Sequence, residues 1–280
     1  MRALKGHGTG NDFIIVPTTD HEFSPAEVAL LCDRHRGVGA DGLIRIVPTS
    51  ESTDPFVRSQ AGDADWFMDY RNADGSLAEM CGNGVRVFVH ALIAEGKAHL
   101  GTFKVATRGG TKVVRIDEVG GDVSVGMGIG EPVLPSSITI GEGDTFPAAG
   151  MLFPNPHAVV FVDDLDDAGD LYDVPSWQPA ERYPNGVNVE FVRVVGPRHI
   201  ELRVHERGVG ETLSCGTGIC AAVNVARDAE QETGAATWTV DVPGGRVHVD
   251  VDANGETTLR GPAVIVAELE IDEEWLRREA

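Results

Sequence analysis

Two cysteines stand out by their surroundings. Cys81 lies in Glu79-Met80-Cys81-Gly82-Asn83-Gly84, and Cys215 in Leu213-Ser214-Cys215-Gly216-Thr217-Gly218. Each Cys-Gly-x-Gly turn opens an apolar run at helical spacing. The first continues through Val85, Val89, Leu92 and Ile93 to Gly96, the second through Ile219, Ala222, Val223 and Ala226. That spacing predicts two buried helices with a cysteine at each N-terminus. Amides and the helix dipole favour anions there, so each thiol is expected to ionise below its free value of about 8.5. The glycines leave backbone N–H groups open to a ligand carboxylate, and Asn83 and Thr217 add polar side chains at matching positions. A thiolate and a thiol on opposite faces of one carbon would remove and return a proton, inverting the centre. The α-proton of an amino acid is far less acidic than a thiol. Charge developing on the substrate carboxylate must therefore meet preorganised donors in a dry site. The expected arrangement is two helix ends directed at one cleft, with an amino acid between the thiols. A Cys81–Cys215 disulfide is compatible with that arrangement when the cleft is empty. Cys32 and Cys220 lie inside helical stretches without a glycine turn and read as small buried hydrophobes.

The elements that must carry these turns are mostly short strands. Segments 12–16, 43–47, 65–70, 102–106, 111–116 and 122–127 are rich in Val, Ile, Phe and Thr, and Gly, Pro or Asp separates them. The second half repeats the style at 145–151, 157–162, 187–195, 199–205, 237–242, 246–251 and 257–260. Consecutive strands with short turns favour antiparallel pairing. A further helix is predicted at 25–35, where Ser24-Pro25 supplies an N-cap and a proline at the first helical position. The two cysteine helices have the look of an internal repeat. The expected fold is α+β, with two pseudo-symmetric halves, each a mostly antiparallel sheet or barrel wrapped around a central helix. The first half is placed at residues 1–131, completed by the C-terminal strand within 264–280, and the second at 132–263. The Gly/Pro-rich stretch 128–136 is read as the junction.

Composition narrows the function further. The chain has 280 residues and a net charge of -21, which repels nucleic acid and anionic lipid surfaces. No segment approaches the ~20 apolar residues of a membrane span, and the N-terminus lacks a signal-peptide pattern. The expectation is a cytoplasmic protein with reduced cysteines. The lysines are Lys5, Lys97, Lys104 and Lys112, and none sits in a convincing pyridoxal-phosphate loop. The histidines show no zinc-like spacing with cysteine or carboxylate.

Around these turns the sequence resembles the diaminopimelate epimerase family along nearly its whole length. The motifs run in order from Lys5-Gly6-His7-Gly8-Thr9-Gly10-Asn11-Asp12-Phe13 through Arg36-Gly37-Val38-Gly39-Ala40-Asp41-Gly42 to Asn72-Ala73-Asp74-Gly75-Ser76 and the Cys81 turn. Asn155-Pro156-His157, Gly186-Val187-Asn188-Val189 and Glu206-Arg207-Gly208-Val209-Gly210-Glu211-Thr212 precede the Cys215 turn, and Gly261-Pro262-Ala263 follows it. The resemblance implies conversion of LL-2,6-diaminopimelate to the meso form for lysine and peptidoglycan precursors. It implies no cofactor and no metal, and a homodimer. It assigns Cys81 and Cys215 as the acid/base pair. Asn11, Asn72, Asn155, Asn188, Glu206 and Arg207 become substrate-binding side chains. The amides of Gly82-Asn83 and Gly216-Thr217 become carboxylate-binding turns, and His157 and Glu206 tune the thiols. The residue types suit a substrate with two amino-acid ends, since arginine reads a carboxylate bidentately and asparagine both donates and accepts.

The sequence departs from the family pattern at three places. Pro154 stands where glycine is often found, His205 where tyrosine is common, and Gly42 where some members carry a substrate-contacting glutamine. Two rivals remain. One is a proline or hydroxyproline racemase of the same superfamily, sharing the two thiols. The other is a non-catalytic amino-acid-binding module, which has no need of opposed thiols.

Overall fold

The computed structural model describes residues 1–18, 20–141 and 143–280. The chain forms two compact units, Met1–Val125 with Gly261–Ala280, and Gly126–Arg260. The first opens with β1 (Arg2–Gly8) and β2 (Asn11–Val16), followed by α1 (Pro25–Cys32) and β3 (Gly42–Pro48). The short α2 (Pro55–Arg58), β4 (Trp66–Asn72) and α3 (Gly82–Ala94) come next. A meander of β5 (Gly101–Val105), β6 (Lys112–Ile116) and β7 (Val123–Gly128) ends this run. The second unit contains β8 (Glu131–Thr139), β9 (Thr145–Leu152), β10 (Pro156–Phe161), β11 (Ser176–Gln178) and β12 (Asn188–Gly196). It continues with β13 (His199–Glu206), β14 (Gly210–Thr212), α4 (Gly216–Ala229), β15 (Ala236–Val242), β16 (Gly245–Val251) and β17 (Thr257–Gly261). β18 (Val264–Glu270) and α5 (Glu273–Glu279) belong to the first unit.

In the first unit the strand order is β18-β1-β2-β3-β4, antiparallel except for β2 beside β3. α3 packs on the strands of this sheet and is buried from Gly82 through Leu92. Val85, Phe88, Val89 and Leu92 are fully enclosed, and burying each contributes about 1.5–3 kcal/mol of transfer free energy. Its buried polar residues are Asn83, Arg86 and His90. Arg86 donates to Pro262 O at 3.2 Å, and His90 Nε2 bonds Gly121 O at 3.0 Å.

In the second unit the order β11-β8-β9-β10-β12-β13-β15-β16-β17 places β10 parallel to β12 and β13 parallel to β15. α4 lies against β9, β10, β12, β13 and β16, with Ile219, Ala222 and Val223 at zero exposure. Each unit is thus mostly antiparallel around one buried helix.

Several local expectations need correction. The stretch 128–136, read as a junction, is largely strand, since β8 starts at Glu131, and the units divide just before it, between Val125 and Gly126. Its register on β9 shifts between Val133 and Ser136, around Pro135, where a residue without an N–H costs no ladder bond. The first helix stops at Cys32 rather than 35. Asp33 Oδ1 instead accepts from the amides of His35 and Arg36 at 2.8 Å. β1 is not legible in the sequence, because its glycines and charges hide the alternation.

Candidate active site

Thr9 and Gly10 join β1 to β2 with φ of +49° and +81°, the two-residue hairpin connection whose twist suits paired strands. A β-branched residue is unfavourable in this region. Thr9 is buried, and its hydroxyl accepts from Arg86 Nη2 at 3.0 Å, which holds the turn. The turn sets Asn11 at the head of β2. Asn11 Nδ2 donates to Asp41 Oδ2 at 2.7 Å, so Oδ1 faces the Cys81 turn. There Oδ1 accepts from Cys81 Sγ at 3.4 Å and from Asn83 Nδ2 at 3.3 Å. Cys81 is the N-cap of α3 in extended conformation, φ −138° and ψ 118°, and its sulfur accepts from Gly84 N at 3.4 Å. Gly82 and Asn83 are buried in the first turn.

A polar network braces this cluster. Arg34 donates to Asp41 at 2.8 Å and to Asp12 at 2.7 Å, and Lys5 donates to Asp12 at 2.6 Å. Burial would raise the Asp12 carboxyl, but Arg34 and Lys5 outweigh it and bring it down to about 2. Asn72 closes β4, and its side-chain amide donates to Ser76 Oγ at 3.0 Å. Gly42 opposes Asn72 in the ladder. A Cβ at Gly42 would lie 2.5 Å from Arg71 O and 2.6 Å from Tyr70 Cε2. The Tyr70 ring thus fills the space that a glutamine side chain would need.

In the second unit Cys215 is the N-cap of α4, with φ −121° and ψ 110°, the same extended conformation as Cys81. Gly216 and Thr217 follow, both buried. Cys215 is 6% exposed. Burial, then the nearby carboxylates of Glu206 and Glu190, push its thiol well above the usual value, and the Thr217 hydroxyl, 3.5 Å from Sγ, opposes them. This corrects the expectation that a helix end lowers both thiols. At Cys215, desolvation and two anions outweigh the helix terminus.

His157 on β10 is fully buried. Its Nδ1 is 2.7 Å from Glu190 Oε1 and its Nε2 is 3.0 Å from Asn155 Oδ1. Asn188, at the head of β12, accepts from Arg207 N at 2.9 Å. Glu206 Oε1 accepts from the Thr212 hydroxyl at 2.5 Å. Arg207 is exposed; it donates to Asn185 O at 3.2 Å. Its stem covers Gly186, where φ is +85° and a Cβ would meet Arg207 Cδ at 2.8 Å. His205, in the place of the common tyrosine, donates from Nδ1 to Leu171 O at 2.7 Å. Pro154 is an exposed turn residue between β9 and β10. None of the four cysteines is in a disulfide. Cys32 and Cys220 are buried, and burial pushes the Cys32 thiol up to about 12.

Within the first unit the structure thus gathers Asn11, Cys81 and Asn83. In the second it pairs Asn155 with His157, Asn188 with Arg207, and Cys215 with Thr217, and it sets Glu206 near Cys215. Two residues of these clusters carried no role in the sequence reading. Asp41 belonged to a quoted motif but had no assigned partner. Glu190 stands two residues after Asn188, so strand alternation puts both on one face. A charged residue inside the apolar run Val189-Glu190-Phe191-Val192 was the available signal.

The family model described as diaminopimelate epimerase matches residues 3–133 and 152–266. A diaminopimelate epimerase of Streptomyces coelicolor is 54% identical over 283 residues, covering 98% of this chain and 96% of that one. One from Rhodococcus jostii is 44% identical over 290 residues, covering 98% of each. Among solved structures, a probable proline racemase from Agrobacterium radiobacter superposes with a TM-score of 0.69 at 14% identity. That likeness covers 97% of this chain and 92% of the racemase, and it speaks to fold alone. The chain belongs to the diaminopimelate epimerase family.

Proposed function

We propose that this chain interconverts LL- and meso-2,6-diaminopimelate, for lysine and peptidoglycan precursor synthesis, by proton transfer through Cys81 and Cys215 without a cofactor. The observation that carries the reading is the matched pair of N-cap cysteines, each extended and each followed by a Gly-x-Gly first turn. One thiolate takes the α-proton and the other thiol returns a proton to the opposite face. Cys215, held protonated by burial and by Glu206 and Glu190, is the donor of the ligand-free enzyme. The amides of Gly82-Asn83 and Gly216-Thr217 bind the carboxylate of the reacting end and meet the charge that develops there. Asn11, Asn72, Asn155, Asn188, Glu206 and Arg207 bind the substrate's polar groups, with the Arg207 guanidinium suited to a carboxylate and Glu206 to an ammonium. His157 and Glu206 tune the thiols. Family membership supports a homodimer working in the cytoplasm; the structure itself adds that, among the described residues, no helix is long and apolar enough to cross a membrane.

The test is conversion of LL-diaminopimelate by reduced protein, followed by chiral chromatography beside proline and hydroxyproline. Formation of the meso isomer alone is the expected result. Racemisation of proline with no action on diaminopimelate would replace the substrate, and inertness toward all three would leave an amino-acid-binding module.

A further inference from the structure

Glu190 is a carboxylate with no exposed surface in the middle of an apolar strand. Burying a charge there is costly unless it is paired and hydrogen-bonded. One oxygen, Oε1, lies 2.7 Å from His157 Nδ1, and His157 is equally buried. The other, Oε2, has no hydrogen-bond partner among the described residues. The carboxylate also reaches the first turn of α4, where a Cβ at Gly218 would collide with Oε1. It acts electrostatically on Cys215 at the head of the same helix and on Tyr183. Glu190 therefore touches the histidine on one side and the helix that presents the thiol on the other. Glycine at 218 is what makes room for it.

We infer that Glu190 is a positioning residue: its carboxylate accepts the Nδ1 proton of His157 and fixes the ring with Nε2 beside Asn155. A buried carboxylate on one ring nitrogen sets which nitrogen carries the proton and where the other points. With the Nδ1 proton donated to Glu190, Nε2 is an acceptor, and the Asn155 side-chain amide, 3.0 Å away, completes a chain Glu190–His157–Asn155 by turning its N–H toward the ring. This chain orders two of the residues assigned to substrate and thiol. Its catalytic part rests on the epimerase reading given above.

The ring state can be read without turnover. Long-range ¹H–¹⁵N spectra of the full, ligand-free chain, with the His157 ring assigned by a His157→Asn difference spectrum, report whether Nδ1 carries a proton. The expected wild-type result is a protonated Nδ1. In Glu190→Gln, whose amide can donate to the ring instead, the Nδ1 signal is expected to leave the protonated range. The same variant should lower kcat by at least about tenfold, while KM stays within about twofold. Circular dichroism confirms that it folds, and if it does not, the wild-type ring spectrum decides alone. An unprotonated wild-type Nδ1 overturns the inference. So does a Glu190→Gln protein with the wild-type ring state and wild-type kcat. A wild-type chain inert on every amino acid, yet with Nδ1 protonated, overturns the catalytic part and the epimerase reading together and leaves the hydrogen bond standing.

Discussion

The two N-cap cysteines share a backbone conformation and differ in what surrounds them. Cys81 donates to Asn11 Oδ1, whose orientation is set by the Asp41 carboxylate on the other end of the amide. Removing that carboxylate in Asp41→Ala strips Arg34, Asn11 Nδ2 and the Asp12 amide of one common acceptor. The expected outcome is a kcat at least about tenfold lower and a loss of about 1–3 kcal/mol in urea unfolding. A variant with wild-type kcat would show that Asn11 needs no brace. Cys215 sits among carboxylates and is almost fully enclosed. Only the thiolate attacks an alkylating agent. At pH 7.5, iodoacetamide should therefore modify Cys215 in the ligand-free protein at least about tenfold more slowly than free cysteine. Peptide mapping by mass spectrometry measures this, and a rate equal to that of the free amino acid would refute the protonated resting state.

The helices that carry the cysteines match in sequence but not in what presses on their first turns. A Cβ at Gly84 would meet Ile44 Cδ1 at 3.4 Å and Phe13 Cζ at 3.5 Å, ordinary contacts. Gly84→Ala should therefore keep or raise stability, by up to about 1 kcal/mol from the better helix former. At Gly218 the same methyl collides with Glu190, so Gly218→Ala should cost about 1–3 kcal/mol. Urea midpoints at constant slope compare the two; equal effects would mean that Glu190 moves aside freely. The contrast also marks where sequence is informative. Both helices, their cysteine caps and strands such as β3 and β16 are legible, because apolar periodicity is local. Asp41 and Glu190 are not, because their partners Asn11 and His157 are about thirty residues away in sequence and only strand pairing brings them close. The thiol shift at Cys215 is hidden from the sequence for the same reason. The helix end is written in the turn, whereas the opposing carboxylates come from β12 and β13.

Across the molecule, charge and pH set a boundary on the fold. The net charge of -21 makes the few cations that gather acidic side chains important to it. Asp12, braced by Arg34 and Lys5 with its side chain 17% exposed, has its carboxyl at about 2 in the fold, against about 3.9 in an unfolded chain. A depressed folded value stabilises above the unfolded one, and the contribution disappears as pH falls through the folded one. The expected effect is about 2 kcal/mol, present above pH ~4 and gone by pH ~2. Urea titrations of wild type and Asp12→Asn over that range test it. Curves that stay equally separated down to pH 2 would assign the difference to something other than this carboxyl.

Two thiols that exchange protons with one α-carbon carry solvent hydrogen into it. The most direct measurement follows deuterium entering that carbon, by NMR, when LL-diaminopimelate is incubated in deuterated buffer with the reduced wild type, Cys81→Ala or Cys215→Ala. Label at the inverted centre with the wild type, and no epimerisation by either variant, is the expected result. Full epimerisation by either variant would contradict it.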